Sequence, residues 1–157
     1  MDADNQHATL KLAWFSGVLD GEGSFMIIRN FRNGKPRYGY RISLANTNQL
    51  IINESKEILD FLDIKYCNYI QDRRDNGLKR KMTYLIHITN RNGIIKLLKF
   101  VIPYLIGKRK QAELLDDFLK DWKNADKEYA YNLFKKLNER TPRRLREPSE
   151  TIRQTKF

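Results

Sequence analysis

The chain has 157 residues, and its 30 lysines and arginines against 19 aspartates and glutamates give a formal net charge of +11. With 41% hydrophobic and 31% charged residues, the composition is that of a globular domain and excludes a disordered chain. The single cysteine, Cys67, excludes an internal disulfide, and two histidines are too few for an ordinary cysteine/histidine zinc site. The positive charge favours a polyanionic partner, and both DNA-binding and RNA-binding proteins, ribosomal ones included, have such a charge.

Targeting signals are absent from the sequence as given. The first residues are polar, and no apolar run approaches the roughly 20 residues that a transmembrane helix needs. We therefore expect no membrane partner and an intracellular, not secreted, location, in a prokaryotic cytoplasm or in an organelle such as a mitochondrion or chloroplast.

The first predicted helix runs from Thr9, a plausible N-cap, to Asp20. Within it Ala13, Gly17 and Gly21 recur at every fourth position and form a stripe with almost no side chain. Such a stripe allows another helix to approach closely. The alternative is that the stripe packs against the core of the same chain.

Two β-hairpins follow, separated by a helix. The runs SFMIIRNF and RYGYRISLAN are joined by the turn signal Asn33-Gly34. A helix is predicted from about Leu50 to Leu62. The runs YCNYIQDRR and KRKMTYLIHI form the second pair, with Asp75-Asn76-Gly77 as its turn.

The remaining elements are helical. Helices are predicted over 93–105, ended or kinked by Pro103, over 108–123 and over 127–139. The order α-β-β-α-β-β-α with extra C-terminal helices predicts an α+β fold: one four-stranded antiparallel sheet with helices on one face. We expect a single domain over residues 1–140 and a basic tail over 141–157.

The helix-free face of the predicted sheet is rich in guanidinium, amide and hydroxyl groups. Because strand residues alternate between faces, this face is predicted to carry Met26, Ile28, Asn30, Arg32, Arg37, Arg41, Ser43, Tyr69, Gln71, Arg73, Lys81, Thr83 and His87. Such a mixture suits readout of base edges in a major groove. An ordinary solvated sheet face is the alternative.

The first helix ends in the acidic turn Asp20-Gly21-Glu22-Gly23. Carboxylates at a helix C-terminus meet the unfavourable end of the helix dipole. A hard divalent cation such as Mg²⁺ would offset that cost. The alternative is an acidic turn whose carboxylates bind local amides.

The segment WFSGVLDGEGSF resembles the signature helix of the LAGLIDADG homing endonucleases. Residues 16–23 match its second to ninth positions, with Phe15 in the leading position. SLANTN at the end of the second strand, and PYL followed by KRKQA, are similar to later blocks of the family. The resemblance covers about residues 10–122 and includes the order of the elements.

The resemblance implies a sequence-specific DNA endonuclease, encoded in an intron or similar mobile element, that makes a double-strand break with Mg²⁺ or another divalent cation such as Mn²⁺. Glu22 falls on the metal-binding acid of the family and Gly21 on its metal-binding carbonyl. Lys108 falls on the basic residue beside the scissile phosphate, although a plain phosphate contact is the alternative. Asn48 or Gln49 falls on the polar residue that orders water.

The resemblance also bears on the neighbours of these residues. Asp20 falls on a structural position near the helix end. Asn46 and Lys110, in the later blocks, are expected to contact DNA.

The acidic glycine motif occurs once in the chain. A single motif implies a homodimer in which Ala13, Gly17, Asp20 and Gly21 lie at the interface. Its double-stranded DNA site is then roughly palindromic, and a small-molecule substrate is not expected. The alternatives are a non-cleaving relative, either an RNA maturase that assists intron splicing or a DNA-binding regulator, and a basic RNA-binding structural protein.

Overall fold

A computed structural model of the protein describes residues 3–72 and 82–139. Its elements are α1 (Ala3–Glu22), β1 (Gly23–Arg32), β2 (Lys35–Asn46), α2 (Gln49–Phe61), β3 (Cys67–Gln71), β4 (Thr83–Ile88), α3 (Arg91–Val101), a 3₁₀ turn (Ile102–Tyr104), α4 (Arg109–Lys120) and α5 (Lys127–Asn138). The predicted order of elements is confirmed. The predicted turn at Asp75-Asn76-Gly77, the side chains of Arg73 and Lys81, and the tail over 141–157 lie outside the described residues.

The four strands form one antiparallel sheet in the order β1-β2-β4-β3. Asn33 and Gly34 have φ angles of 52° and 71° and make the two-residue turn of the first hairpin. Two successive positive φ angles match the right-handed twist of a hairpin, and asparagine and glycine adopt them with the least strain. The α+β fold class and the single four-stranded sheet are therefore as predicted.

Helix boundaries differ from the prediction mainly at the start of α1. This helix begins at Ala3, so Thr9 lies within it and the predicted N-cap is wrong. The polar residues before Thr9 are compatible with helix, and a cap preference is too weak to stop a helix that its neighbours continue. Pro103 lies in the 3₁₀ turn directly after α3, which confirms that it ends that helix.

The helices cover one face of the sheet and enclose the core with it. Phe15 and Leu19 of α1 are almost completely buried, as are Ile42 of β2 and Ile86 of β4. Each such side chain contributes roughly 1.5–3 kcal/mol through removal of apolar surface from water. The core therefore fixes α1 against the sheet and with it the position of the acidic turn.

The opposite side of α1 is not covered by any other residue of the described ranges 3–72 and 82–139. Leu10 and Trp14 are 68% and 39% exposed, and Gly17 and Gly21 are exposed beside them. α1 is thus apolar on the side that faces the core and again on the side that faces away. Within the part of the chain that the structure describes, no helix is long and apolar enough to cross a membrane.

Candidate active site and nucleic-acid interface

The acidic turn lies where α1 passes directly into β1. A Cβ atom at Gly23 would lie 2.6 Å from the carbonyl oxygen of Leu19, so only glycine fits this close approach of strand and helix end. The turn thereby brings Glu22 to the surface while Leu19 stays in the core.

Asp20 binds the loop that precedes α4. Its carboxylate accepts hydrogen bonds from the backbone amides of Ile106 at 2.7 Å, Gly107 at 3.1 Å and Lys108 at 2.9 Å. Burial raises the pKa of Asp20, but the three amides and the Lys108 ammonium lower it by more, so the pKa lies below its ordinary value. The Asp20 carboxylate thus binds main-chain amides of its own protomer, and its place at the dimer interface stays a prediction.

The Lys108 side chain binds main-chain carbonyl groups of the same turn. Its ammonium donates to the carbonyl oxygens of Gly23 at 2.6 Å, Leu19 at 3.1 Å and Gly21 at 3.4 Å. A cation at this point satisfies carbonyls left free by the end of α1 and opposes the negative end of its dipole. Partial burial lowers the pKa of Lys108, while the carboxylates of Asp20 and Glu22 act in the opposite direction.

Glu22 is exposed and lines a cleft beside α1 together with Gly21, Gly17, Trp14 and Asn46. A carboxylate and a neighbouring main-chain carbonyl are hard oxygen donors, and Mg²⁺ is ordinarily held by one or two carboxylates with water and phosphate oxygens. Among the described residues no group of three His, Cys, Asp or Glu side chains is close enough to enclose a metal. The Glu22 carboxylate and the Gly21 carbonyl are donors of the kind found in open Mg²⁺ sites, where water and phosphate supply the other oxygens.

Asn48 and Gln49 lie at the start of α2. The Asn48 side chain caps this helix, because its oxygen accepts from the amide of Leu50 at 3.0 Å. The main-chain amide of Asn48 in turn donates a hydrogen bond to the side-chain oxygen of Asn46 at 2.8 Å. Gln49 is the first residue of α2 and is exposed. Of this group it is Asn46 that lines the same cleft as Glu22.

The open sheet face carries the residues that alternation predicts. The register places opposite each other Met26 and Arg41, Asn30 and Arg37, Ser43 and His87, and Gln71 and Thr83. Ile28, Arg32 and Tyr69 follow on the same face by the same alternation.

Two predicted DNA contacts do not belong to this face. Asn46 pairs with Tyr84 and shares the face of Leu44, which the helices cover. Lys110 lies on α4 and not on the sheet. Contact of these two residues with DNA stays a prediction, and Asn46 lines the cleft that contains Glu22.

Arg41 lies near the middle of the open face. Its guanidinium contacts the sulfur of Met26 at 3.9 Å, and its Nε atom is buried without a hydrogen-bond partner among the described residues. His87 lies nearby, with its ring 5.1 Å from that of Tyr69. Burial, and then the charge of Arg41, lower the pKa of His87, so the imidazole is neutral at neutral pH.

A second cleft connects the acidic turn with this face. It is lined by Ser24 and Met26 at the start of β1 and by Lys108. Lys108 is therefore shared between the turn at the end of α1 and the edge of the open sheet face.

The sequence prediction missed the contacts of the loop before α4 and an ion pair between Arg29 and Glu128. The loop contacts join residues more than 80 positions apart. No local pattern marks them, because the donors are main-chain amides that every residue carries.

Known structures similar to this one were found, whereas comparisons of the sequence found no match. No family model matches the sequence, and a search of curated proteins finds no match. The homing endonuclease I-CvuI, solved with DNA that was not cleaved in 2 mM Mg, is similar with a TM-score of 0.67 and 20% identity over 87% of each chain. The archaeal intron-encoded homing endonuclease I-Vdi141I, solved with DNA, has a TM-score of 0.65 and 19% identity over 85% of this chain and 87% of its own.

A third similar structure is longer than this chain. The LAGLIDADG homing endonuclease I-GzeII, solved with its DNA target, has a TM-score of 0.56 and 15% identity over 77% of this chain and 40% of its own. The architecture, the sheet order and these neighbours agree, and the chain has the fold of the LAGLIDADG homing endonucleases.

Proposed function

We propose that this chain is a sequence-specific endonuclease that cuts both strands of DNA as a homodimer with a divalent cation, and that it originates from an intron or a similar mobile element. The observation that carries the proposal is the arrangement around the acidic turn. The exposed Glu22 carboxylate, the Gly21 carbonyl and the Lys108 ammonium meet at one end of α1, beside the basic open face of the sheet.

Hydrolysis of a phosphodiester needs an activated water and stabilisation of the charge that develops on phosphorus. Glu22 and Gly21 would hold the divalent cation, which when bound supplies Lewis-acid polarisation of the phosphate and a more acidic water. Lys108 would offset charge on the phosphate, since its ammonium lies at the acidic turn and its side chain lines the cleft beside Ser24 and Met26. Asn48 or Gln49 would orient water from the start of α2.

The exposed side of α1 supports the proposed homodimer. A Cβ atom placed at Gly17 or Gly21 would meet no atom of the described residues within 4 Å, so the packing of that part of the protomer does not require glycine there. With the exposed Leu10 and Trp14 they form a small, apolar surface that a second α1 can cover. The chain also covers 87% of I-CvuI but 40% of I-GzeII, which fits one structural unit per chain here and more than one in the longer protein.

A dimer would bring together two copies of Glu22 and two open sheet faces. Its formal charge would be twice +11, and phosphate neutralisation by the lysines and arginines would make affinity fall steeply with salt. The two sheets would contact two half-sites related by the two-fold axis, so the DNA site would be roughly palindromic.

A non-cleaving binder is the second candidate function. The open sheet face alone would serve an RNA maturase or a DNA-binding regulator equally well. The exposed Glu22 next to Lys108 favours cleavage, because a protein that only binds nucleic acid gains nothing from a carboxylate directed towards phosphate.

Selection of cleaved sites from a random DNA library with Mg²⁺, read by sequencing, tests the proposal. We expect double-strand breaks at one long, roughly palindromic site for the wild type and for Glu113→Gln, an exposed change on α4. Glu22→Gln should bind the selected duplex and leave it intact. Sequence-specific binding without cleavage by the wild type, in Mg²⁺ and in Mn²⁺, would support the non-cleaving binder instead.

A further inference from the structure

Glu128, in the first turn of α5, contacts both strands of the first hairpin. Its carboxylate accepts hydrogen bonds from the Arg29 guanidinium of β1 and from the Tyr38 hydroxyl of β2. Arg29 and Tyr38 are direct cross-strand partners. A single carboxylate therefore joins α5 to one cross-strand residue pair of the β1–β2 hairpin.

These contacts lie on the side of the ribbon away from the open face. Arg29 and Tyr38 alternate with Ile28, Asn30, Arg37 and Gly39, which share the face predicted to contact DNA. Arg29 is thus directed towards the helices. Its charge acts inside the protomer and not on the nucleic acid.

Aromatic rings surround the ion pair and restrict its geometry. The Arg29 guanidinium lies 4.5 Å from the ring centre of Tyr131 on α5 and 5.6 Å from that of Phe31. Tyr38 packs edge-on against Tyr131, with 6.5 Å between the ring centres. Glu128 also accepts from Asn132 at 3.3 Å, and its position in the first turn of α5 suits the positive end of the helix dipole.

Beyond this pair of residues the hairpin has no support from the core that the described residues form. Residues 30–37 are all exposed, and they carry Asn30, Arg32, Lys35 and Arg37. A two-stranded ribbon without a packed face is marginally stable and twists easily. The direction in which this end of the hairpin points is therefore set at its base, where Glu128 binds.

We propose that Glu128 is a positioning residue for DNA recognition: through Arg29 and Tyr38 it fixes the angle of residues 30–37 and so determines how strictly the outer base pairs of each half-site are recognised. The inference rests on the proposed function, since it assumes a DNA site. It adds α5, which lies behind the sheet, to the elements that determine specificity.

The test compares the wild type with Glu128→Gln and Tyr38→Phe on the duplex selected by the wild type, together with all its single-base variants. Binding is measured without cleavage, in Ca²⁺. For both variants we expect discrimination at the outer base pairs to fall about tenfold or more, with little change at the central ones. Amide hydrogen exchange in residues 30–37 should become faster in the same variants.

Glu113→Gln is the matched control, because it removes the same charge from an exposed position on α4. Its binding profile and its exchange rates should equal those of the wild type. Arg29 and Glu128 are 30% and 47% exposed, and an exposed ion pair adds little to stability, so the variants should stay folded. Unchanged discrimination in both variants, or a uniform loss at every base pair, would overturn the positioning role. Absence of any sequence preference in the wild type would overturn the proposed function itself.

Discussion

The carboxylate of Asp20 accepts a hydrogen bond of 2.9 Å from the main-chain amide of Lys108, although 88 positions separate the two residues in the sequence. The Lys108 ammonium in turn donates to carbonyls on both sides of Asp20. The end of α1 and the start of α4 therefore hold each other through two sets of contacts. Whatever chemistry Glu22 performs depends on this pairing for its geometry.

Replacing Asp20 by asparagine should destabilise the protein, because the side chain loses its charge and one of its two accepting oxygens. Hydrogen bonds to charged groups contribute about 1.5–3 kcal/mol each, and partial compensation by the amide leads us to expect a loss of about 2 kcal/mol in the free energy of unfolding. Urea denaturation at fixed protein concentration measures it. Asp117→Asn, at an exposed position on α4, is the control, and equal stability of the two variants would contradict the role of Asp20.

Replacing Lys108 by methionine should separate cleavage from binding. The aliphatic part of the side chain is kept while the ammonium is lost, so stabilisation of phosphate charge disappears. We expect the single-turnover cleavage rate to fall by about 10² or more, with less than a tenfold change in DNA affinity. Lys96→Met, at an exposed position on α3, removes the same charge, and an equal loss of cleavage in that variant would reduce Lys108 to a general electrostatic contact.

Substitution of Gly17 by leucine should dissociate the dimer without unfolding the protomer. Within residues 3–72 and 82–139 of one protomer, no atom lies within 4 Å of a Cβ atom at this position, whereas a close helix crossing has no room for a leucine. Sedimentation over a concentration series measures the assembly, and circular dichroism reports the fold. Asn53→Leu on the exposed side of α2 is the control. A Gly17→Leu protein that sediments like the wild type would place the interface elsewhere.

DNA affinity should rise as the pH falls from about 7 to 5, and His87 should carry part of the effect. Burial and the neighbouring Arg41 hold the pKa of His87 below its ordinary value in the free protein, and nearby phosphates would raise it, so binding takes up a proton. The Tyr69 ring and the opposing Ser43 and Cys67 are the other groups that face it.

Proton NMR of the imidazole, free and bound, together with anisotropy titrations at several pH values, measures this coupling. His87→Gln should flatten the pH dependence of binding. Because the folded-state pKa is lowered, the stability that neutral His87 contributes is complete above the unfolded-state pKa of about 6.5 and is lost as the pH falls from there through the lower folded-state pKa. Binding is therefore compared only where the protein stays folded. The same imidazole pKa with and without DNA would refute the coupling.

Local patterns in the sequence were sufficient for much of the fold. Alternation along β1 and β2 assigned the faces of Met26 and Arg41 correctly, because a pleated strand has a strict period of two. Asn33-Gly34 located the first turn, since few other residue pairs tolerate two positive φ angles.

The parts that sequence did not predict depend on distant contacts. Asp20 was expected at an interface, and only the folded chain brings the amides of residues 106–108 to it. The Arg29–Glu128 pair is one of many possible pairings in a chain with 31% charged residues. Asn46 was expected as a DNA contact, and the folded chain brings it into the cleft that contains Glu22, a neighbour that no local pattern indicates.

The long separation between Asp20 and Lys108 also determines when, during synthesis of the chain, the contacts around the acidic turn can form. Closing a loop of this length costs conformational entropy before any of the contacts form. A growing chain that has completed α1 and the sheet, but not yet Lys108, carries Glu22 without its neighbouring cation and with the carbonyls of Leu19 and Gly23 unpaired. The geometry around the acidic turn therefore needs residues made long after α1, and no N-terminal fragment that ends before Ile106 contains it.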